Sequence, residues 1–176
     1  MPKISEVVKR DLRLLQDAYH HLWTVGPEDR KPNEFIWPLK RYLVVEDLLV
    51  TPALEEHLGK LGATRHKRLS DDDESMNEKL KHMQTFDVTE PSHEAALKAI
   101  WVDLEPHMRE EAGKDLDQLE ESLSQSESEA LGSRYERISQ LLQQPYGEHG
   151  APDKDILMAL LDTPRKELIT KFGLTS

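Results

Sequence analysis

The stretch Phe35-Ile-Trp-Pro-Leu39-Lys-Arg-Tyr42-Leu-Val-Val-Glu46-Asp-Leu-Leu49-Val-Thr-Pro52-Ala53 decides the fold, because it is the most apolar run of the chain and carries a carboxylate inside its own apolar stripe. Phe35, Leu39, Tyr42, Glu46, Leu49 and Ala53 follow one another at steps of four and three, which is one face of a helix. A core-facing carboxylate is costly unless a cation, a proton or a set of donors meets it. Glu46 therefore calls for a partner from another helix.

The same periodicity runs outward in both directions. Ile4, Val8, Leu12, Leu15, Tyr19 and Leu22 form a first stripe, ended by Gly26-Pro27, and residues 28–33 read as a loop. The Glu46 helix spans about 33–57, closed by Gly59 and Gly62, with Pro52 expected to kink it. A third helix is expected after Arg68, with Leu69, Asp73, Met76, Leu80 and Met83 inward. Pro91 suits the first turn of a fourth, which turns Leu97, Ile100, Leu104, His107, Glu111, Leu119 and Leu123 to the same side. Pro106 and Gly113 flank His107 and Glu111, so local irregularity is expected there.

Ser124-Gln-Ser-Glu127 has the spacing of a capping box and opens a helix with Leu131, Tyr135, Ile138 and Leu142 on one side. A turn-rich segment at 144–152, a short helix at about 154–161 and a last turn carrying Leu168 and Phe172 complete the chain. No strand pattern and no long repeat appears. The fold class expected is all-α, an up-down-up-down four-helix bundle over residues 1–125, with residues 126–176 a helical extension packed on the same domain.

Composition narrows the function. The 176 residues include 23 Lys and Arg against 34 Asp and Glu, a net charge of −11, which repels phosphate backbones and anionic lipids. Neither nucleic acid nor a membrane is an expected partner. Absence of cysteine leaves any metal to His and carboxylates. The N-terminus breaks its apolar residues with charges, so a cytoplasmic location is expected. No Gly-rich phosphate loop, nucleophile elbow or His-Glu-x-x-His is present.

What interrupts the apolar stripes is a set of five: Tyr42, Glu46, Asp73, His107 and Glu111, from three helices. Tyr42 and Glu46 stand one turn apart, as do His107 and Glu111, and bundle interiors are where such groups converge. Alone, each has a plainer explanation: a packed phenol, a solvated acidic helix start at Asp71-Asp-Asp-Glu74, a buried ion pair. The remaining histidines, His20, His21, His57, His66, His82, His93 and His149, fall off the stripes or in loops and read as surface residues.

The chain resembles a fungal member of the hemerythrin-like (HHE) cation-binding proteins, four-helix bundles that hold a non-haem di-iron centre between their helices. The landmarks are Val7-Val-Lys-Arg-Asp11, the run from Trp37 to Pro52-Ala-Leu-Glu55-Glu-His-Leu-Gly59, Trp101-Val-Asp-Leu-Glu-Pro-His107-Met-Arg-Glu-Glu111 and Ala151-Pro-Asp-Lys154. The resemblance implies ligand roles for Glu46, His107 and Glu111. It also implies that three ligand imidazoles are replaced, by Leu12, Tyr42 and Asp73.

Two outcomes stay open for such a pocket. The leading expectation is a cofactor-free cavity in which His107, Glu46, Tyr42, Asp73 and Glu111 tune one another's proton affinities, bind a small, largely apolar organic molecule and catalyse acid/base cyclisation, isomerisation or dehydration, as in secondary metabolism. The other is a reduced, oxygen-rich site for one Fe or Mn ion.

Overall fold

The structure, a computed structural model, describes residues 1–143 together with Glu167 and Thr170. Among them every regular element is helical: α1 (Ile4–Leu22), α2 (Asn33–Val45), α3 (Thr51–Met83), α4 (Pro91–Glu110), α5 (Leu116–Ser122) and α6 (Gln125–Gln143). The helices expected at 154–161 and around Leu168 lie outside the described residues. No helix among the described residues is long and apolar enough to cross a membrane.

The stripes read from the sequence are the core. All six positions of the first stripe are buried on α1, as are Phe35, Leu39, Tyr42, Glu46, Leu49 and Ala53 across α2 and its continuation. Leu69, Met76, Leu80 and Met83 line α3, and Leu97, Ile100 and Leu104 line α4. At the far end Tyr19 stacks on Trp101 with ring centroids 4.0 Å apart and meets Phe35 edge-on.

The chain reverses within α3. Gly59 takes φ 59° and ψ −131°, which a residue with a Cβ adopts only at a cost, and the helix resumes at once on the other side. Gly62 packs so tightly against the first arm that an added Cβ would stand 1.8 Å from the Leu54 carbonyl oxygen. This corrects the sequence expectation. The turn is one residue, Gly59, and the second arm already includes Gly62 through Arg68 instead of starting after them.

Side-chain pairs fix the directions. Lys40 meets Asn77 and Glu55 meets His66, so the two arms run antiparallel. Arg68 meets Glu110 and Lys79 meets Asp103, so α4 runs antiparallel to the second arm. Lys9 meets Asp117 while Tyr19 meets Trp101, so α4 and α5 oppose α1 as well. The result is the up-and-down bundle expected. The Ser124–Glu127 capping box forms, with Ser124 Oγ accepting from the Glu127 N–H at 3.2 Å and Glu127 accepting from the Ser124 N–H at 2.8 Å. From it α6 runs parallel to α1, joined by Ser128 to the Ile4 N–H, Arg10 to Glu136 and Tyr135 to Asp11.

One surface assignment is overturned. His93, placed at the surface by its position outside the inward stripe, is 3 % exposed in the first turn of α4, where Pro91 starts the helix with this side chain turned in. His20, His21 and His82 are exposed, and His57 and His66 are half-buried, the latter paired with Glu55. His149 lies outside the described residues.

Candidate metal centre

Two wide turns build the centre. After Val45 the chain passes into a π turn, Glu46–Val50, and after Glu110 into another, Glu111–Asp115. In each the first residue is a fully buried glutamate whose backbone carbonyl accepts from the N–H five residues on, Thr51 for Glu46 and Leu116 for Glu111. Such turns insert one residue into the helical register.

The sequence reason for the first is Pro52. Once the Thr51 N–H is diverted to Glu46, the Asp47 carbonyl faces a residue without an N–H, and the Thr51 hydroxyl donates to it instead at 3.3 Å. The expected kink is therefore a wide turn. The second falls on the expected irregularity at Gly113, and beyond Glu111 both Asp115 and Leu116 are buried before the pattern resumes at Leu119.

Four of the five expected residues meet directly. His107 Nε2 lies 3.2 Å from Glu46 Oε1 and 3.7 Å from Glu111 Oε2. The Tyr42 hydroxyl donates to Glu111 Oε2 and lies 3.4 Å from His107 Nε2. The fifth, Asp73, joins by proximity: one ligand atom each from Glu46, Asp73 and His107 lie within 4.8 Å of one another.

Sequence reasoning missed a sixth residue, Asp72. Its carboxylate lies 3.2 Å from His107 Nδ1, so an Nδ1–H donates outward to it and Nε2 is left facing the acids. Asp72 is about half exposed, whereas the His107 side chain is 2 % exposed. The same carboxylate lines a surface groove of about 580 Å³ with Ala63, Thr64, Lys67, Arg68 and Asp71. The acidic run 71–74 is thus not simply a solvated charge run, because Asp73 turns its oxygens inward and Asp72 reaches His107 from the surface.

Lys40 was also missed. It is 9 % exposed, donates to Asn77 Oδ1 at 2.6 Å, and burial lowers its pKa to about 8, against an upward pull from the Asp73 charge.

Burial dominates the electrostatics, and crowded like charges add to it. Burial pushes the Asp73 and Glu111 carboxyls well above the usual range, the Glu46 charge pushes both further, and His107 opposes. Burial also raises the Tyr42 phenol, with the Glu111 and Glu46 charges in support. For His107 burial works downward, but the Glu46 charge and the contacts to Asp72 and Glu46 carry it well above an ordinary imidazole.

Several of the carboxylate oxygens are not met by donors. Both Asp73 oxygens, Glu46 Oε1 and Glu111 Oε1 are closed to solvent without a hydrogen-bond partner, the 3.2 Å approach of His107 to Glu46 Oε1 being an ion-pair contact without hydrogen-bond geometry. These oxygens suit a single hard cation. Among the described residues a metal pair is not supplied, since Leu12 is a buried apolar side chain on α1 and Tyr42 spends its hydroxyl on Glu111.

The chain is 30 % identical over 158 residues, 88 % of its own length and 77 % of the relative's, to an uncharacterized hemerythrin-like protein of Schizosaccharomyces pombe. No protein-family model matches it. No solved structure matches it significantly. Matched over most of both chains, and folded as the bundle that its helices dictate, the chain belongs to the hemerythrin-like proteins.

Proposed function

We propose that this chain binds one divalent transition-metal ion inside its bundle, held by Glu46, Asp73 and His107 with Glu111 beside them. The observation that carries the reading is the set of buried carboxylate oxygens that no donor meets, on three acids around one imidazole. If ionised, Glu46, Asp73 and Glu111 bring three negative charges, and His107 is neutral when its Nε2 ligates an ion and positive only when it is protonated instead. One divalent cation offsets two of the three charges, and in its absence protons taken up by the imidazole and the acids do so.

Ligand atoms about 2.1 Å from one ion lie up to roughly 4 Å apart, so the 4.8 Å spread needs only a small closure. An oxygen-rich set with one imidazole favours Mn(II) or Fe(II). A bound ion of this kind would supply Lewis acidity and, as iron, one-electron chemistry. Asp72 orients the imidazole, and Tyr42 holds Glu111 in place through its hydroxyl.

A second reading keeps the same residues without a metal, as an acid/base pocket for a small organic molecule. What favours it is the neighbourhood of a raised imidazole with raised carboxyls, beside a surface groove that Asp72, the partner of His107 Nδ1, lines.

Metal analysis and thermal melting separate the two. One mole of Mn(II) or Fe(II) per chain is expected, with a melting temperature that rises on titration and a His107→Ala variant that shows no rise. Purified protein that neither retains nor responds to either ion would leave only the second reading.

A further inference from the structure

One turn past Glu111 lies a buried ion pair that the metal centre does not use. Asp115, fully buried, is the last residue of the second π turn. Two arginines one turn apart on the second arm of α3 grip it, one on each oxygen: Arg65 Nε lies 3.2 Å from Oδ1 and an Arg68 Nη lies 2.9 Å from Oδ2. The other Arg68 Nη lies 2.7 Å from Glu110 Oε1. The arm of α3 that carries Asp72 and Asp73 therefore holds the residue just before the turn and the residue that ends it.

Stability does not account for this arrangement. Taking two ions out of water costs about as much as their attraction returns unless every donor and acceptor is met. Here Arg65 is 3 % exposed, its Nη1 meets no acceptor, and its contact to Asp115 Oδ1 lacks hydrogen-bond geometry. What two cations on one carboxylate do fix is orientation.

Orientation is what a π turn lacks. It differs from a regular helix by a single residue of register, and sliding back would rotate one end relative to the other by about 100°. Glu111 is the residue at which that slip would begin.

We propose that Arg65 and Arg68, through Asp115 and Glu110, form a clamp that holds the Glu111–Asp115 turn in its wide register and so aims the Glu111 carboxylate at Tyr42 and His107. These are positioning residues. The clamp's effect on cation affinity rests on the proposed function, whereas its effect on the Tyr42–Glu111 contact does not.

The test uses the full chain with Asp115→Asn and, as the milder change, Arg68→Gln, each checked by circular dichroism. The deciding readout, in metal-free protein, is the isotope-labelled Cζ resonance of Tyr42, assigned by its loss in Tyr42→Phe, which reports the phenol's hydrogen bond. The expected result is a Tyr42 resonance displaced toward that of an unbonded phenol, more in Asp115→Asn than in Arg68→Gln, with helicity retained. Mn(II) affinity should fall about tenfold in parallel. If Asp115→Asn does not fold, Arg68→Gln decides. An unchanged Tyr42 resonance in the folded variants overturns the clamp whatever the affinity does, and wild-type protein that ignores Mn(II) overturns the cation site while leaving the clamp to the resonance.

Discussion

Glu46 and Glu111 stand in the same relationship to their own helices: each opens a π turn, each lends its backbone carbonyl to an N–H five residues on, and each points a fully buried carboxylate at His107 Nε2, at 3.2 and 3.7 Å. The two wide turns face one another across the bundle with the imidazole between them. A regular helix at either place would carry the residues beyond it round by about 100°. The centre thus depends on two local faults, one written by Pro52 and the other falling at Gly113.

Asp73 separates binding from stability. Both of its oxygens are buried without a donor, so in metal-free protein it is a liability. Asp73→Asn should stabilise the metal-free chain by about 1–2 kcal/mol at neutral pH, while removing most of the stabilisation expected from Mn(II) in the wild type. Urea unfolding with and without the ion reads both. A variant that loses stability and keeps its metal response would mean that Asp73 is structural.

Much of this was visible in the sequence. Steps of three and four placed the helices, and the polar interruptions named Tyr42, Glu46, Asp73, His107 and Glu111 before any partner was known. Asp72 was hidden because, in a run of four acids, neighbours about 100° apart on a helix read alike, and only α4 decides which of them reaches His107. In sequence Gly59 and Gly62 read as two stop signals, whereas the first turns the chain and the second lets the arms touch, so the second arm starts earlier than the pattern implies. Periodicity is blind to a side chain that the first helical turn tucks inward, which is why His93 reads as a surface residue in the sequence.

That distinction between the glycines can be measured. At Gly62 an added methyl would collide with backbone, which cannot swing aside as a side chain would. Gly62→Ala should lower stability by about 3 kcal/mol or more. Gly59→Ala meets no neighbour and should lose only about 1–3 kcal/mol, through its positive φ. Thermal melts of the two variants rank them, and a milder effect at Gly62 would mean that the arms are less closely packed.

Two buried hydrogen bonds seat α6 on α1, Ser128 to the Ile4 N–H and Tyr135 to Asp11. Tyr135, fully buried, donates to Asp11 Oδ2 at 2.8 Å, while Arg10 only approaches the other oxygen at 3.9 Å. Tyr135→Phe keeps the ring and withdraws the donor, and should lower stability by about 1–2 kcal/mol. If α6 belongs to the same folding unit as the bundle, unfolding stays a single transition. A separate early transition for α6 would show it to be an appendage.

The pH dependence of the metal-free chain should run opposite to that of a protein stabilised by ionised carboxylates. Asp73 and Glu111 hold their protons more tightly folded than unfolded, so what they contribute is complete below the ordinary carboxylate range and is lost as pH rises through their raised values. His107 has the same sign: its folded value is raised, so its contribution is complete below an ordinary imidazole value, about 6.5, and is lost as pH climbs through the raised one. The melting temperature of metal-free protein should therefore fall from weakly acidic to alkaline pH. The fall should be shallower in an Asp73→Asn, Glu111→Gln double variant. A cation requires the deprotonated ligands, so the stabilisation by Mn(II) should grow over the same interval. Wild type and double variant tracing the same curve would show that these two carboxyls do not set the pH response of the bundle.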